Sequence, residues 1–186
     1  ADKYQIPRIA YINKMDAVGA DFFRVVEQIK ERLGAHPLVL GLPVFDNEAF
    51  YGIIDLVRFK IYTFSGQSGD DIVEGDIPEQ YQDDANIWRV AMLEDLAETD
   101  EALLELYFNN ETIPEEMLRK AIRENTIAGN MVPVVCGSSY RNIGVQPLLD
   151  AVVDYLPAPT DVRAAQALCQ DSGMKMEITP DENGDF

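Results

Sequence analysis

The pattern that constrains this chain most is a short apolar run broken off by Asn13-Lys14-Met15-Asp16 and followed by an amphipathic helix. Residues 8–13, RIAYIN, have the length and apolar content of a buried strand. Phe22, Val26, Ile29 and Leu33 then recur at helical spacing. This predicts a helix over about 20–33, with Asp21 as N-cap and Gly34 as its stop. The same succession returns further along. Residues 131–139, MVPVVCGSS, look like a second buried strand ending in small polar residues. A helix of about 146–155 follows, carrying Leu148, Leu149, Val152 and Val153 and stopped by Pro-Ala-Pro at 157–159. Two such strand–loop–helix units are successive layers of a parallel α/β sheet.

The block between them has a different character. PLVLGLPV, FYGIIDLVRFKIYTF and DIVEGDI are rich in β-branched and aromatic residues and separated by Gly- and Asp-rich turns, which predicts a small antiparallel sheet. From Pro78 the period becomes helical. Ala85, Trp88, Met92 and Leu96 share one face, and Leu103, Leu104, Tyr107 and Phe108 another. Trp88 and the Tyr107-Phe108 pair are expected to fill this block's core. A third helix opens at TIPEE, with Thr112 and Glu115 spaced as a capping box and Met117, Leu118, Ala121 and Ile122 as its apolar stripe. Beyond residue 160 the sequence is polar and aperiodic, as a linker is.

Charge narrows the function classes. The 186 residues hold 33 acidic against 15 basic side chains, a net −18, which excludes a nucleic-acid grip over the whole surface. Residues 70–124 hold 17 of the acids and 4 of the bases, so the helical half of the middle block is the acidic face. No apolar run approaches the roughly 20 residues of a membrane span. The first residues carry no signal peptide and no initiator Met, so the chain is expected to start inside a longer protein. Cys136 and Cys169 form no CxxC pair and point to a reducing, cytoplasmic setting. His36, the single histidine, follows the helix stop and is expected in a turn, without a catalytic role. PDENGDF, 180–186, lacks the Gly and distal Glu of a calcium loop and reads as a turn.

In open α/β sheets, ligands sit at the carboxyl ends of strands, and both Asn-Lys-Met-Asp and Cys-Gly-Ser-Ser stand at such ends. A carboxylate offers two acceptors at the separation of guanine's ring N–H and exocyclic amine. Adenine has no such donor pair, so Asp16 can discriminate between them. Asn13 can donate to a ring nitrogen or brace the neighbouring loop. The aliphatic stem of Lys14 can lie over a flat base while its ammonium stays wet. A main-chain N–H near Ser139 can reach the guanine carbonyl.

Asn-Lys-x-Asp after a buried strand resembles the guanine-specificity motif of P-loop GTPases. INKMDAVGADFFRVVEQIKERLGA, GIIDLVRFKIYTF and PVVCGSSYRNIGVQPLLDAVVDYLPAPTDV, in that order, resemble the bacterial elongation factor G family over about 8–162. The resemblance implies an α/β fold: part of a P-loop GTPase-type parallel sheet, at 1–33 and 130–160, with an inserted α+β subdomain, 34–129, and a linker, 161–186, toward a following domain. It implies GTP or GDP as ligand, read by Asn13, Lys14 and Asp16 and by Ser138 and Ser139; where Ser139 stands the family usually has Ala. Its partners would be the ribosome, including the stalk protein through the acidic insert, with ribosomal RNA touched mainly by parts outside this chain, and the state a monomer. The parent is expected to be a GTP hydrolase driving translocation of tRNA and mRNA, with Mg2+ bound in the full-length parent only.

No GxxxxGK[ST] occurs, so nothing in the chain cradles phosphates, no catalytic residue is expected here, and the fragment alone is expected to be inactive. Asp16-Ala-Val-Gly19 and Asp181-Glu-Asn-Gly184 spell the Asp-x-x-Gly of a magnesium switch, but neither follows a strand in the required place. The same motifs occur in peptide-release factors, ribosome-recycling paralogues and ribosomal protection proteins, which are the alternatives. A docking module for the stalk is the alternative for the fragment itself.

Overall fold

The computed structural model describes residues 2–47, 49–66, 69, 71–161, 165–168 and 174–178. They fall into two units, Ala1–Leu156 and Pro157–Phe186.

In the first unit a three-stranded sheet has the order β1 (Ala10–Ile12), β7 (Val132–Cys136), β2 (Pro37–Val39), and both pairings are parallel. The middle strand β7 is buried at every position, as a parallel strand covered on both faces must be. Helix α1 (Phe22–Leu33) follows β1 and buries Phe22, Val26 and Ile29, whereas Leu33 faces solvent. Its ends are the expected ones. Asp21 Oδ1 accepts the Arg24 N–H at 3.0 Å. Gly34 adopts φ +61°, a left-handed conformation that costs glycine nothing, and its N–H returns to the Lys30 carbonyl.

A four-stranded antiparallel sheet runs in sequence order through β3 (Gly41–Asp46), β4 (Ala49–Asp55), β5 (Lys60–Ser65) and β6 (Asp71–Gly75). The segment PLVLGLPV, expected in this sheet alone, is shared between two. Its first three residues pair with β7, and the chain changes sheets at the buried Leu40. The Leu40 N–H donates to the Val134 carbonyl at 2.9 Å, while its own carbonyl accepts the Leu56 N–H at 2.9 Å. FYGIIDLVRFKIYTF forms two strands of this sheet, reversed by a turn over residues 56–59.

Three helices follow, α2 (Glu79–Ala97), α3 (Glu101–Phe108) and α4 (Glu115–Ala128). Ala85, Met92 and Leu96 are buried on α2, Leu103 on α3, and Leu118, Ala121 and Ile122 on α4. The capping box does not form. Pro114 is the N-cap of α4 and no side chain caps that end. Ile113, buried and biased to extended backbone by the proline after it, keeps Thr112 outside the helix. The aromatic core is also redistributed. Trp88 is half-buried and stacks on Phe23 of α1 at 5.4 Å, whereas Phe108 is 72% exposed.

Helix α5 (Val145–Tyr155) packs through Ala151 and Tyr155, with Leu148 partly covered, and leaves Leu149, Val152 and Val153 exposed. Its carboxyl end is held by Arg123 of α4, whose Nη1 donates to the Asp154 and Leu156 carbonyls, each at 2.9 Å.

In the second unit, where a linker is expected, β8 (Ala165–Leu168) and β9 (Lys175–Ile178) pair antiparallel after a short 3-10 turn at Pro159–Asp161. Cys169 and residues 180–186 lie outside the described residues.

Candidate functional site: two adjoining strand ends

Because β1 and β7 are parallel neighbours in the register Ile12↔Cys136, Asn13 and Gly137 leave the sheet side by side. Main-chain bonds continue past the last paired residues. The Gly137 N–H donates to the Ile12 carbonyl at 3.0 Å, and the Met15 N–H donates to the Gly137 carbonyl at 3.1 Å. Gly137 tolerates no side chain, because a Cβ there would meet the Ile143 carbonyl at 2.4 Å. Met15, only 2% exposed, anchors the first loop in the core.

Asn13 is where the two loops are tied. Its Oδ1 accepts the Lys14 N–H at 2.8 Å and the Ser139 N–H at 3.0 Å. This is the loop brace foreseen for Asn13, made through its oxygen. The Ser139 N–H, the donor expected for a base carbonyl, is aimed at this side chain.

Lys14 is exposed and has φ +64°, a left-handed conformation that costs a residue with a Cβ about 1–2 kcal/mol. Such strain persists where neighbouring contacts over-determine it, here Asn13 on one side and buried Met15 on the other.

Asp16 is half-buried beside the second loop. Its Oδ2 lies 3.2 Å from Arg141 Nε, and the Ser138 hydroxyl also bonds its carboxylate. The Ser138 bond, aided by main-chain bonding and by Arg141, holds the Asp16 carboxyl below its ordinary value against the opposing effect of burial. The group is therefore a committed anion at neutral pH, as an acceptor of two N–H donors must be. Ser138 is fully buried and closes the loop by exchanging main-chain bonds with Ile143, 2.8 Å and 3.0 Å long. Ser139 is exposed at the loop's outer side.

The structure thus brings Asn13, Asp16, Ser138 and the Ser139 main chain together, with Lys14 beside them. Arg141 was not foreseen. It is 125 residues from Asp16, and nothing local distinguishes it from the other basic residues. His36, expected in a turn, instead lies in the irregular link before β2, where its carbonyl accepts the Val132 N–H at 2.8 Å and its Nε2 is 3.1 Å from Asp95 Oδ2.

Phosphate and metal are a different matter. Among the described residues no three His, Cys, Asp or Glu side chains stand together as metal ligands, and Asp16 of the first Asp-x-x-Gly is engaged by Ser138 and Arg141. These residues do not fit a magnesium site.

A parallel sheet whose adjoining strand tips bring Asn13, Asp16 and Ser138 together has the arrangement in which open α/β domains place a ligand site. Residues 1–158 match the family described as the elongation factor Tu GTP binding domain, and the chain belongs to that family. Over all 186 residues it is 60% identical to elongation factor G 1 of Syntrophomonas wolfei subsp. wolfei, spanning 28% of that protein's length. A crystal structure of a protein from Thermus thermophilus matches 86% of this chain, and 24% of its own, with a TM-score of 0.75 and 32% identity.

Proposed function

We propose that this chain supplies guanine recognition to a ribosome-dependent GTP hydrolase of the elongation factor G kind, acting in the cytoplasm to drive translocation. Elongation factor G 1 is the relative that supports this over release factors, recycling paralogues or protection proteins. What supports this is the placement of the Asp16 carboxylate against the Ser138–Ser139 loop, bonded by the Ser138 hydroxyl and 3.2 Å from Arg141 Nε. In this mechanism Asp16 accepts the ring N–H and the exocyclic amine of guanine as a bidentate pair. Arg141, 62% exposed, yields one of the two oxygens to the base. Ser138 keeps the carboxylate charged and oriented, Asn13 fixes the spacing of the two loops, and the stem of Lys14 covers one face of the ring. When bound, magnesium would neutralise phosphate charge, through residues outside this chain.

The test is Asp16→Asn in the full-length protein. A donor replacing one acceptor suits the second carbonyl of xanthine, so preference moves from guanosine to xanthosine nucleotides. Unchanged nucleotide competition overturns the assignment. For residues 1–186 alone, two charge-assisted bonds contribute about 3–6 kcal/mol against a cost of at least about 4 kcal/mol for lost freedom. The isolated chain then binds GTP or GDP no tighter than roughly millimolar and hydrolyses neither. A micromolar dissociation constant by calorimetry contradicts this.

The block 34–129, apart from β2, is proposed as the docking subdomain for the ribosomal stalk protein, with the whole a monomer. Asp83, Ile87, Val90 and Glu94 share one face of α2, and Ile87 and Val90 are exposed among the acids, a surface suited to a lysine-rich amphipathic partner. Charge reversal at Glu94, Glu98 and Glu101 then weakens stalk binding in a salt-dependent way. Undiminished binding removes the idea.

A further inference from the structure

Tyr11 is the middle residue of β1, paired in register with Val135, and its ring runs on past the end of the neighbouring strand. A Cβ at Gly137 would meet Tyr11 Oη at 2.4 Å and Cε2 at 3.1 Å, so the phenol lies against the first residue of the second loop. Tyr11 is half-buried as a residue, but its hydroxyl is wholly so. Oη is shut off from solvent and has no partner of regular hydrogen-bond geometry among the described residues. A buried hydroxyl left in that state is costly and rare.

The polar side chain that bears on it is the Ser139 hydroxyl, which works against the rise that burial imposes on the Tyr11 phenol. Ser139 is exposed as a residue, so packing does not lock its hydroxyl. Tyr11 and Asn13 are two residues apart, the spacing that puts side chains on one face of an extended chain. Asn13 already holds the Ser139 main chain, through the 3.0 Å bond from its N–H.

We propose that Tyr11 is a positioning residue for base recognition, its hydroxyl bonding that of Ser139. The β1 segment then grips Ser139 twice, by the main chain through Asn13 and by the side chain through Tyr11. A second loop held in this way keeps the adjacent Ser138 hydroxyl on the Asp16 carboxylate. The role rests on the guanine reading of Asp16, and Tyr11 acts only through Ser139.

A double-mutant cycle on the two hydroxyls tests it. In the 186-residue chain without nucleotide, Tyr11→Phe and Ser139→Ala each lower the folding equilibrium constant about fivefold in urea denaturation. The double variant also loses about fivefold, not the roughly twenty-five-fold of independent sites. An unbonded pair gives the opposite sign: removing a buried hydroxyl without a partner raises stability, and Ser139→Ala at an exposed position is neutral. In the full-length protein each single substitution speeds GDP release about threefold, and the double variant no more than either. Ile29→Val, a core change on α1 of about the same fivefold stability cost, leaves release at the wild-type rate. Independent folding effects, or a more stable Tyr11→Phe, overturn the bond. Release unchanged by both hydroxyl substitutions, or sped equally by Ile29→Val, overturns the positioning role. Unchanged nucleotide competition in Asp16→Asn brings down the guanine reading and the positioning role with it, while the folding cycle, which needs no nucleotide, still judges the bond.

Discussion

The Asn13 carboxamide carries the Ser139 main chain: one oxygen accepts the Lys14 N–H at 2.8 Å and the Ser139 N–H at 3.0 Å, joining two loops 126 residues apart. Asn13→Ala removes the acceptor from both. Because the site is solvent-accessible, water replaces part of what is lost, and the expected destabilisation is about 1–2 kcal/mol. Urea denaturation of the chain measures it, and an unchanged midpoint would remove Asn13 as the tie.

Lys14 offers a test with opposite signs. Its left-handed backbone costs about 1–2 kcal/mol, while glycine there gives up about 0.5–1 kcal/mol in unfolded-state entropy. Lys14→Gly is therefore expected to raise stability by up to about 1 kcal/mol. If the Lys14 stem covers the base as proposed, the same change is expected to lower guanine-nucleotide affinity in the full-length protein. Parallel denaturation and nucleotide titration check the two signs together.

Asp55 caps the turn after β4, its Oδ1 accepting the Val57 N–H at 2.7 Å and the Arg58 N–H at 3.0 Å. Burial nevertheless holds its carboxyl above the ordinary value, outweighing both bonds. A folded state that keeps a proton longer than the unfolded chain loses stability as pH rises from the ordinary carboxylate value toward the raised one. Asp55→Asn keeps an acceptor for both N–H groups and carries no charge. The stability difference in favour of the variant is expected to grow as pH rises from about 4. Thermal unfolding of both proteins across that range measures it, and a pH-independent difference refutes the mechanism.

Arg123 joins α4 to the carboxyl end of α5 through the Asp154 and Leu156 carbonyls. Those carbonyls have no partner within the helix, and the cation also opposes the negative end of its dipole. Arg123→Ala is expected to cost about 2–3 kcal/mol and to speed amide exchange at the end of α5. Arg123→Lys, lacking the planar fork, recovers only part of it.

Local chemistry made several elements legible. Asp21 and Gly34 bound α1 because a cap and a left-handed stop act within one turn, and β1 and β7 follow from short apolar runs with polar ends. Other features are settled over long distances. Pro37–Val39 has the composition of either sheet, and only its pairing with β7, some 95 residues later, assigns it to the parallel one. Helix α5 is apolar on every side but the stripe of Gln146, Asp150 and Asp154, so periodicity could not say that Ala151 and Tyr155 turn inward while Leu149, Val152 and Val153 do not. Trp88 found its partner on α1, outside the block whose core it was expected to fill.

By itself the sequence determined the two strand–loop–helix units, the acidic middle block and the identities of Asn13, Lys14, Asp16, Ser138 and Ser139 as a constellation. The tertiary structure decided that Asn13 Oδ1 braces the second loop, that Arg141 reaches Asp16, and that Lys14 is held in a left-handed turn. The physical reason is one of range. Caps, breakers and apolar periods act between near neighbours along the chain, whereas the charge and spacing of the site come from hydrogen bonds that exist only once β1 and β7 lie side by side.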